Sequence, residues 1–488
     1  VYANFIPATV EFIRLLPEII LLLAGTLCMT LEAKAGDSHR RGLASFALIS
    51  ILLAMGGTVA AAANPGPAFQ NMMLVDGFAT FFRMLILVVG ALAVLCSAAY
   101  LAREQADSGD YYALLLFSLT GQSLMVAANE LIMIFIGLET ASIATYVLAG
   151  YLRDDKRNNE AAIKYFLLGS FATAFLLYGI AWIYGITGAT NLEEIRAFLR
   201  NPVQMPPSLL IAASAALMFV GFAFKVSAAP FQAWAPDVYQ GAPAPVTAFM
   251  SAGPKAAAFA VLLRVYSTAF ADVSESWVPI IWMSALITMI VGNYAAITQS
   301  NIKRMLAYSS IAHAGYVMVA VTAHSEIGIA AAMFYLTAYA FMNVGAFAVV
   351  TWFSRQGERY VNIDDLAGFA RQQPVIAAIF SLFLLSFIGV PLTGGFFGKF
   401  YIFKAAIDSK LYWLTVIGLL NSAVAAYYYL RVLVVMYFHE PGEATSALPE
   451  ISPGIRLALY SSAVATLVLG IFPSLVLNYA SRSAVFSR

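Results

Sequence analysis

Pro245-Val-Thr-Ala-Phe-Met-Ser-Ala-Gly-Pro-Lys255-Ala-Ala-Ala-Phe-Ala-Val-Leu-Leu263 sets one ammonium in the middle of an apolar run. About ten largely apolar residues flank it on either side, some 15 Å of helix, so the side chain is too far from either end to snorkel. A charge at that depth costs roughly 2.5–3.5 kcal/mol on insertion scales. Glu139, Lys225, His313 and Lys399 also fall inside or beside apolar runs. A membrane protein that tolerates several such groups is expected to move charge.

Composition gives the same class. The chain has 488 residues, 61% hydrophobic and 11% charged, against about 45–50% and about 25% for soluble domains. No soluble core hides that much apolar surface, so lipid is the solvent. A net charge of +1 gives no footing for nucleic acid. Cys28 and Cys96 are isolated in apolar runs, with neither disulfide nor metal spacing. With four histidines and no CxxC or CxxCH, the sequence offers no ligation for haem, flavin or iron–sulfur clusters. The start, Val-Tyr-Ala-Asn, does not read as a signal peptide, because Glu11, Arg14 and Glu18 interrupt it.

A span needs about 20 mostly apolar residues. That rule predicts about fourteen, near 13–31, 43–63, 77–101, 111–128, 130–151, 161–186, 207–228, 245–269, 278–299, 304–322, 326–353, 374–400, 411–437 and 455–479. Odd-numbered loops carry most of the cations: Lys34, Arg40 and Arg41; Arg103; Arg153, Lys156 and Arg157; Lys303 and Arg304; Arg355, Arg359 and Arg371. Even loops hold fewer: Arg196, Arg200 and Lys410. The positive-inside rule makes the odd loops cytoplasmic and both termini periplasmic in a bacterial inner membrane.

Two segments carry prolines in corresponding places, Phe224-Lys225-Val-Ser-Ala-Ala-Pro230 and Phe387-Ile-Gly-Val-Pro391-Leu-Thr-Gly-Gly-Phe-Phe-Gly-Lys399. Unwound backbone at membrane depth survives only inside protein or along a wet cavity. Paired breaks point to an internal repeat and a transport site. The 161 residues between Pro230 and Pro391 match the spacing of two five-helix units.

The charged residues divide by position. Glu139 lies close to the midplane of its span, while Glu130 reads as a boundary carboxylate. Glu139 needs a partner, for which a lysine is the least costly choice. Lys255 follows Pro254, whose missing N–H frees a carbonyl that can solvate an ammonium. Lys225 and Lys399 flank the two breaks. Lys164 lies one turn past a charged loop, where snorkelling and burial fit equally well. His313 is mid-helix with Ser309, Ser310 and Tyr316 nearby. Glu18, Arg83, Arg264 and Arg431 receive no task from the sequence. Buried lysines titrate readily near neutral pH, and alternating them with carboxylates and water makes a proton relay.

Phe224-Lys225-Val-Ser-Ala-Ala-Pro230-Phe231-Gln232-Ala-Trp234-Ala-Pro236-Asp237-Val-Tyr239-Gln-Gly241-Ala-Pro243 resembles a signature of the antiporter-like subunits of respiratory complex I. Asn301-Ile-Lys303-Arg304-Met-Leu-Ala-Tyr308-Ser309-Ser310-Ile-Ala-His313-Ala-Gly315-Tyr316 resembles a second. The Pro391–Lys399 stretch is similar to the subunit N type, called subunit 2 in mitochondria. The resemblance covers about residues 112–440. Related cation/proton antiporter complexes and membrane-bound hydrogenases share the first two signatures.

The resemblance implies an all-α polytopic membrane protein of about fourteen helices, with two inverted five-helix repeats each containing a broken helix. Residues 1–110 would form an N-terminal three-helix segment, 111–269 and 278–437 the repeats, and 438–488 a C-terminal helix. It further implies a proton-translocating, non-redox subunit of NADH:quinone oxidoreductase. In it Glu139 would be the carboxylate, Lys225 its partner, Lys255 the central relay and Lys399 the lysine of the second half. Lys164 and His313 would be further members of the polar axis. NAD, FMN, iron–sulfur clusters and quinone would belong to partner subunits, and further antiporter-like subunits would be neighbours in the bilayer. Gln232 stands where the family often has His, and it cannot titrate. The stop at Arg488 implies no long lateral helix. A non-conducting scaffold subunit is the competing expectation.

Overall fold

The computed structural model describes residues 7–33, 37–201, 207–446 and 448–485, without the side chains of 37–41. Lys34 and the side chains of Arg40 and Arg41 lie outside the described residues. The helices in chain order are α1 (Thr9–Arg14), α2 (Leu16–Glu32), α3 (Asp37–Ala62), α4 (Gly77–Arg103), α5 (Gly109–Ala127), α6 (Leu131–Ala149) and α7 (Lys156–Thr187). Next come α8 (Leu192–Leu199), α9 (Ser208–Val226), α10 (Trp234–Gly241), α11 (Ala244–Thr268), α12 (Val278–Ile297), α13 (Ile302–Thr322) and α14 (Glu326–Phe353). The last are α15 (Phe369–Gln372), α16 (Pro374–Ile388), α17 (Gly394–Asp408), α18 (Tyr412–Phe438), α19 (Glu443–Ser446), α20 (Pro453–Ile471) and α21 (Ser474–Ser483). A short antiparallel hairpin, β1 (Gly66–Ala68) and β2 (Met73–Val75), pairs Gly66 with Val75.

Eleven helices among the described residues are long and apolar enough to cross a membrane. The other three expected spans are α2, α5 and the α16–α17 pair. The first has only 17 residues, the second is rich in hydroxyl and amide side chains, and the third is split into two pieces of 15. The expected continuous span 374–400 is thus broken: α16 stops at Ile388 and α17 restarts at Gly394. The other break lies between α9 and α11, with α10 inside it.

Three helices form the centre. Every residue of α11 from Ala244 to Tyr266 is buried, and α13 and α14 are nearly as enclosed. Apolar residues occur on all sides of each, as expected of a helix that lipid or protein surrounds everywhere, with a few buried polar groups among them. Pro254 sits inside α11 without interrupting it. The outer helices turn large apolar side chains outward, such as Leu53, Phe171, Trp413 and Leu467.

Loops sort onto two faces by parity. On the odd face, the Gly109 N–H meets the Glu32 carboxylate at 2.8 Å, and the Gly357 N–H meets Glu104 at 3.0 Å. Arg157 donates to Gly357 O at 3.0 Å, Ile302 N to Val361 O at 2.8 Å, and Arg371 pairs with Glu440 at 2.6 Å. On the even face, Asn129 N donates to Met72 O at 2.8 Å, Asn191 to Asn71 O at 3.1 Å, and Arg196 pairs with Asp272 at 2.9 Å. Ser409 reaches Ala323 O at 2.9 Å there. Both α1 and α21 lie on this face, through Arg14 to Pro67 O at 2.5 Å and Tyr479 to Gly77 O at 3.3 Å.

One local pattern occurs twice. Leu131 N donates to Thr190 O at 2.9 Å and Leu192 N to Asn129 O at 3.0 Å. Ile302 N donates to Val361 O at 2.8 Å and Ile363 N to Ser300 O at 2.7 Å. Each pair ties the start of a helix (α6 or α13) to the chain beyond the next helix (α7 or α14). The first lies on the even face and the second on the odd face.

The four unassigned charges have structural tasks. Arg83 Nη2 pairs with Glu18 at 2.8 Å inside the bundle, and Ser123 donates to the same carboxylate at 2.6 Å. Arg264 pairs at 2.8 Å with Asp76, which caps α4 by accepting from Ala79 N at 2.7 Å. Arg431 donates to Ile297 O at 3.0 Å and to Gln299 O, closing the end of α12.

Breaking a buried ion pair by removing one partner costs about 3–5 kcal/mol, whereas replacing both with apolar groups is close to neutral. Arg83→Met should therefore lower the thermal unfolding midpoint of the purified chain in detergent. Adding Glu18→Leu should restore most of the loss. A double variant no more stable than the single would show that the pair does not act as a unit.

Candidate functional site

The break after α9 exposes carbonyls, and the first signature fills the gap with its own side chains. The Trp234 Nε1–H donates to Phe224 O at 2.9 Å, and the indole stacks on Tyr165 at 4.5 Å. Lys225, in the last turn of α9, is buried. Its Nζ donates to Ser142 Oγ at 2.9 Å and to Tyr165 Oη at 3.2 Å. The ammonium also faces the rings of Tyr146 and Tyr165, at 5.8 and 5.4 Å.

The expected Glu139–Lys225 ion pair is not formed among the described residues. Glu139 is half-buried, and its Oε1 has no hydrogen-bond partner. Ser142 lies three residues further along α6, so it shares a helix face with Glu139 one turn on. The lysine meets that face at the serine, where two tyrosines enclose it. Glu130 behaves as a boundary carboxylate, capping α6 by accepting from Met133 N at 2.8 Å.

Lys255 is 2% exposed, near the middle of α11. Its Nζ donates to Ser310 O at 2.9 Å and to Ser310 Oγ, with the Tyr339 ring centre at 5.9 Å. The solvating carbonyl therefore comes from α13 and not from the one that Pro254 frees on its own helix. No carboxylate pairs with this lysine among the described residues.

From Ser310 the polar line continues along α13. Ser309 Oγ shares a hydrogen bond with Tyr429 Oη, which is 3.2 Å from His313 Nε2. His313 Nδ1 is 2.5 Å from Tyr335 Oη. Asn293 donates to Tyr316 Oη at 3.2 Å and accepts from Tyr428 Oη at 3.1 Å.

Lys399 closes the line at the second break. Its Nζ donates to Phe387 O at 2.8 Å, Ile388 O at 2.9 Å and Ser422 Oγ at 2.7 Å, and lies 4.8 Å from the Tyr316 ring centre. The two carbonyls end α16, whose dipole turns its negative end to the cation. Gly389 makes the approach possible. Its φ is +95°, and a Cβ there would sit 3.3 Å from Lys399 Cδ.

Lys164 stands apart from this line. Its Nζ pairs with Glu160 at 2.6 Å and Asp237 at 2.7 Å, and its side chain is 40% exposed. Arg304 holds the other oxygen of Asp237 at 2.6 Å. These groups line a cleft of about 270 Å³ with Arg157 and Gln240. The position that allowed either snorkelling or burial resolves to a charged mouth on the odd face. Gln232 Oε1 is buried without a hydrogen-bond partner among the described residues.

Sequence reading passed over Tyr165, Asn293, Tyr335, Tyr339, Ser422 and Tyr429 as members of the line. The available signal was the tyrosines in mid-helix, whose hydroxyls need partners once buried. Tyr239 and Tyr339 keep hydroxyls without a hydrogen-bond partner among the described residues. No group of three metal-ligating side chains occurs among them either.

Residues 128–425 match the family described as NADH:quinone oxidoreductase/Mrp antiporter, transmembrane. The chain is 62% identical to NADH-quinone oxidoreductase subunit N 1 of Solibacter usitatus over 97% of both chains. It is 48% identical to subunit N 2 of Koribacter versatilis, covering 99% of this chain and 98% of that one. A chain in the structure of respiratory complex I from Thermus thermophilus with bound aureothin has a TM-score of 0.81 at 33% identity, covering 95% of this chain and 99% of that chain. A chain of the Mrp complex from Dietzia sp. DQ12-45-1b shares the fold, with a TM-score of 0.85 at 20% identity over 97% of both.

An unpaired buried acceptor costs about 1–3 kcal/mol, while one lost hydrogen bond costs about 0.5–1.5. Lys399→Met strands two carbonyls at the break and Ser422→Ala removes one contact. In detergent, Lys399→Met should lower the thermal midpoint clearly more than Ser422→Ala. Equal shifts would mean that the lysine does not hold the end of α16.

Proposed function

The chain belongs to the NADH:quinone oxidoreductase/Mrp antiporter transmembrane family as an antiporter-like subunit N, and we propose that it translocates protons in the membrane arm of NADH:quinone oxidoreductase through the line Lys225–Lys255–His313–Lys399. Glu139 flanks its first member, and the Lys164–Asp237–Arg304 cleft is its mouth on the odd face. The observation that carries this reading is the solvation of Lys255. Its ammonium is fully enclosed and held by a carbonyl, a hydroxyl and an aromatic face. Neutral acceptors leave a lysine free to give up its proton, which a tight carboxylate pair would hold.

Quinone reduction, with NAD, FMN and iron–sulfur clusters, belongs to partner subunits in this reading. Neighbouring antiporter-like subunits and the lipid of a bacterial inner membrane surround the chain. The twice-used pattern at α6–α7 and α13–α14 supports repeats at residues 111–269 and 278–437, inverted because the pattern changes face. In each, the fourth helix is the broken one. Cation-rich odd loops support a cytoplasmic odd face, with α1 and α21 periplasmic. A cysteine at the exposed Asp154 should react in intact cells only with permeant reagents. Labelling by an impermeant reagent would reverse the orientation.

The central test is the pair Lys255→Ala and Lys255→Arg in the assembled complex. Arginine keeps the charge and stays protonated. Both variants should assemble, and both should lose at least about tenfold in coupled quinone reduction and proton pumping, about 1.4 kcal/mol in barrier. Wild-type pumping by Lys255→Arg would replace the titrating lysine with a fixed-charge scaffold.

A further inference from the structure

We propose that Glu358, in the loop after α14, is a positioning residue for Lys255: it sets the spacing of α11 and α13 at which the ammonium meets Ser310. The inference rests on the proton line proposed above. Segment 355–358 holds a costly shape. Arg355, Gly357 and Glu358 have φ of +57°, +69° and +47°, a region that residues with a Cβ seldom adopt. Such conformations persist only where surrounding contacts fix them, and they gather at sites with a task. Here the Gly357 N–H meets Glu104 and the Gly357 carbonyl accepts from Arg157, both at 3.0 Å.

The strained turn delivers one carboxylate into the bundle. Glu358 Oε1 accepts from the Ala244 N–H at 2.7 Å and from the Tyr100 hydroxyl at 2.8 Å. Its Oε2 accepts from Lys303 at 2.6 Å. The starts of α11 and α13 and the end of α4 are thus joined at a single side chain. Lys303 adds a second tie, donating to Ala242 O at 2.6 Å just ahead of α11. Glu358, Lys303 and Tyr100 are all buried, so these bonds are shielded from water.

Helix geometry carries the tie to mid-depth. Ser310 lies seven residues past Lys303, about two turns along α13 and on the same face. Lys255 lies eleven residues past Ala244, about three turns along α11 and again on the same face. The odd-face clamp and the Lys255–Ser310 contact therefore share one seam. Along that seam α11 packs closely on α4 and α14 but only sparsely on α13. The bonds that join α11 and α13 directly at mid-depth are those of Lys255 with Ser310 O and Oγ. Their spacing is governed by the clamp, not by interlocked side chains. Two acceptors on one residue must both reach one ammonium, and a displacement of about 1 Å takes both beyond hydrogen-bond range.

The test removes the tie without stranding a charge, by combining Glu358→Gln with Lys303→Met in the intact complex reconstituted in proteoliposomes. This double variant should assemble and lose about fivefold in coupled proton pumping. Ser310→Ala removes one of the two side-chain and backbone acceptors and should lower pumping by itself. Added to the double variant, it should cost far less than the product of the two losses, because both act on the same Lys255 contact. A clamp with a structural role alone would give losses that multiply. Should the double variant not assemble, Glu358→Gln alone, which keeps an oxygen for the Ala244 N–H, enters the same cycle. Multiplied losses, or pumping unchanged by loss of the tie, would overturn the positioning role while Lys255→Arg still fails. Wild-type pumping by Lys255→Arg would instead remove the proton line itself.

Discussion

An ammonium inside an apolar bundle must be solvated by the protein itself, and the two helix breaks exist to provide that solvation. A continuous helix uses all its mid-length carbonyls internally. Ending α16 at Ile388 frees two of them, and both point at Lys399. Ending α9 at Val226 frees Phe224 O, which is taken by Trp234 and not by the lysine. That indole bond holds the stack on Tyr165, and Tyr165 is what Lys225 touches. One break thus solvates its cation directly and the other through an aromatic bracket.

Charges in the chain divide by the partner they keep. Arg83, Arg264 and Lys303 meet carboxylates at 2.8, 2.8 and 2.6 Å. Such pairs lock protons in place and join helices: Lys303 and Glu358 bind the starts of α11 and α13, since Glu358 also accepts from Ala244 N at 2.7 Å. Among the described residues, Lys225, Lys255 and Lys399 meet only hydroxyls, carbonyls and ring faces. Carboxylate-paired cations and neutral-partnered lysines are therefore separated by chemistry as well as by position. The rigid clamps hold the same helices on which the neutral-partnered lysines sit.

Much of this was legible in the sequence, and the exceptions have physical causes. Span positions follow from apolar length, so all fourteen expected segments have a counterpart, with 374–400 split into α16 and α17 and 455–479 broken between α20 and α21. Lys255, Lys225 and Lys399 were legible because burying a cation is costly and rarely accidental. The expected Glu139–Lys225 ion pair is not formed among the described residues because the lysine meets α6 one turn along the same face from the carboxylate, an axial offset that depends on tertiary packing. Arg83 and Glu18 were opaque because their partnership spans two helices whose approach no local pattern encodes. Tyr429 and Tyr335 were hidden among 25 tyrosines, whose local sequence does not say which hydroxyls meet the lysines or the histidine.

The second signature shows how a motif becomes a set of contacts along one helix. Asn301 caps α13 by accepting from Arg304 N at 3.1 Å. Lys303 holds Glu358, and Arg304 holds Asp237. Ser309 meets Tyr429, Ser310 meets Lys255, His313 lies between Tyr335 and Tyr429, and Tyr316 meets Asn293. Read from Asn301 to Tyr316, partners change from carboxylates at the odd face to hydroxyls at mid-depth. Full charges are tolerable near the face, where solvent and loops share the field, and polar but neutral groups take over where they do not. A helix ordered this way carries a graded environment from surface to centre. That gradient lets carboxylate-paired cations anchor one end while a lysine with neutral partners is held at the other.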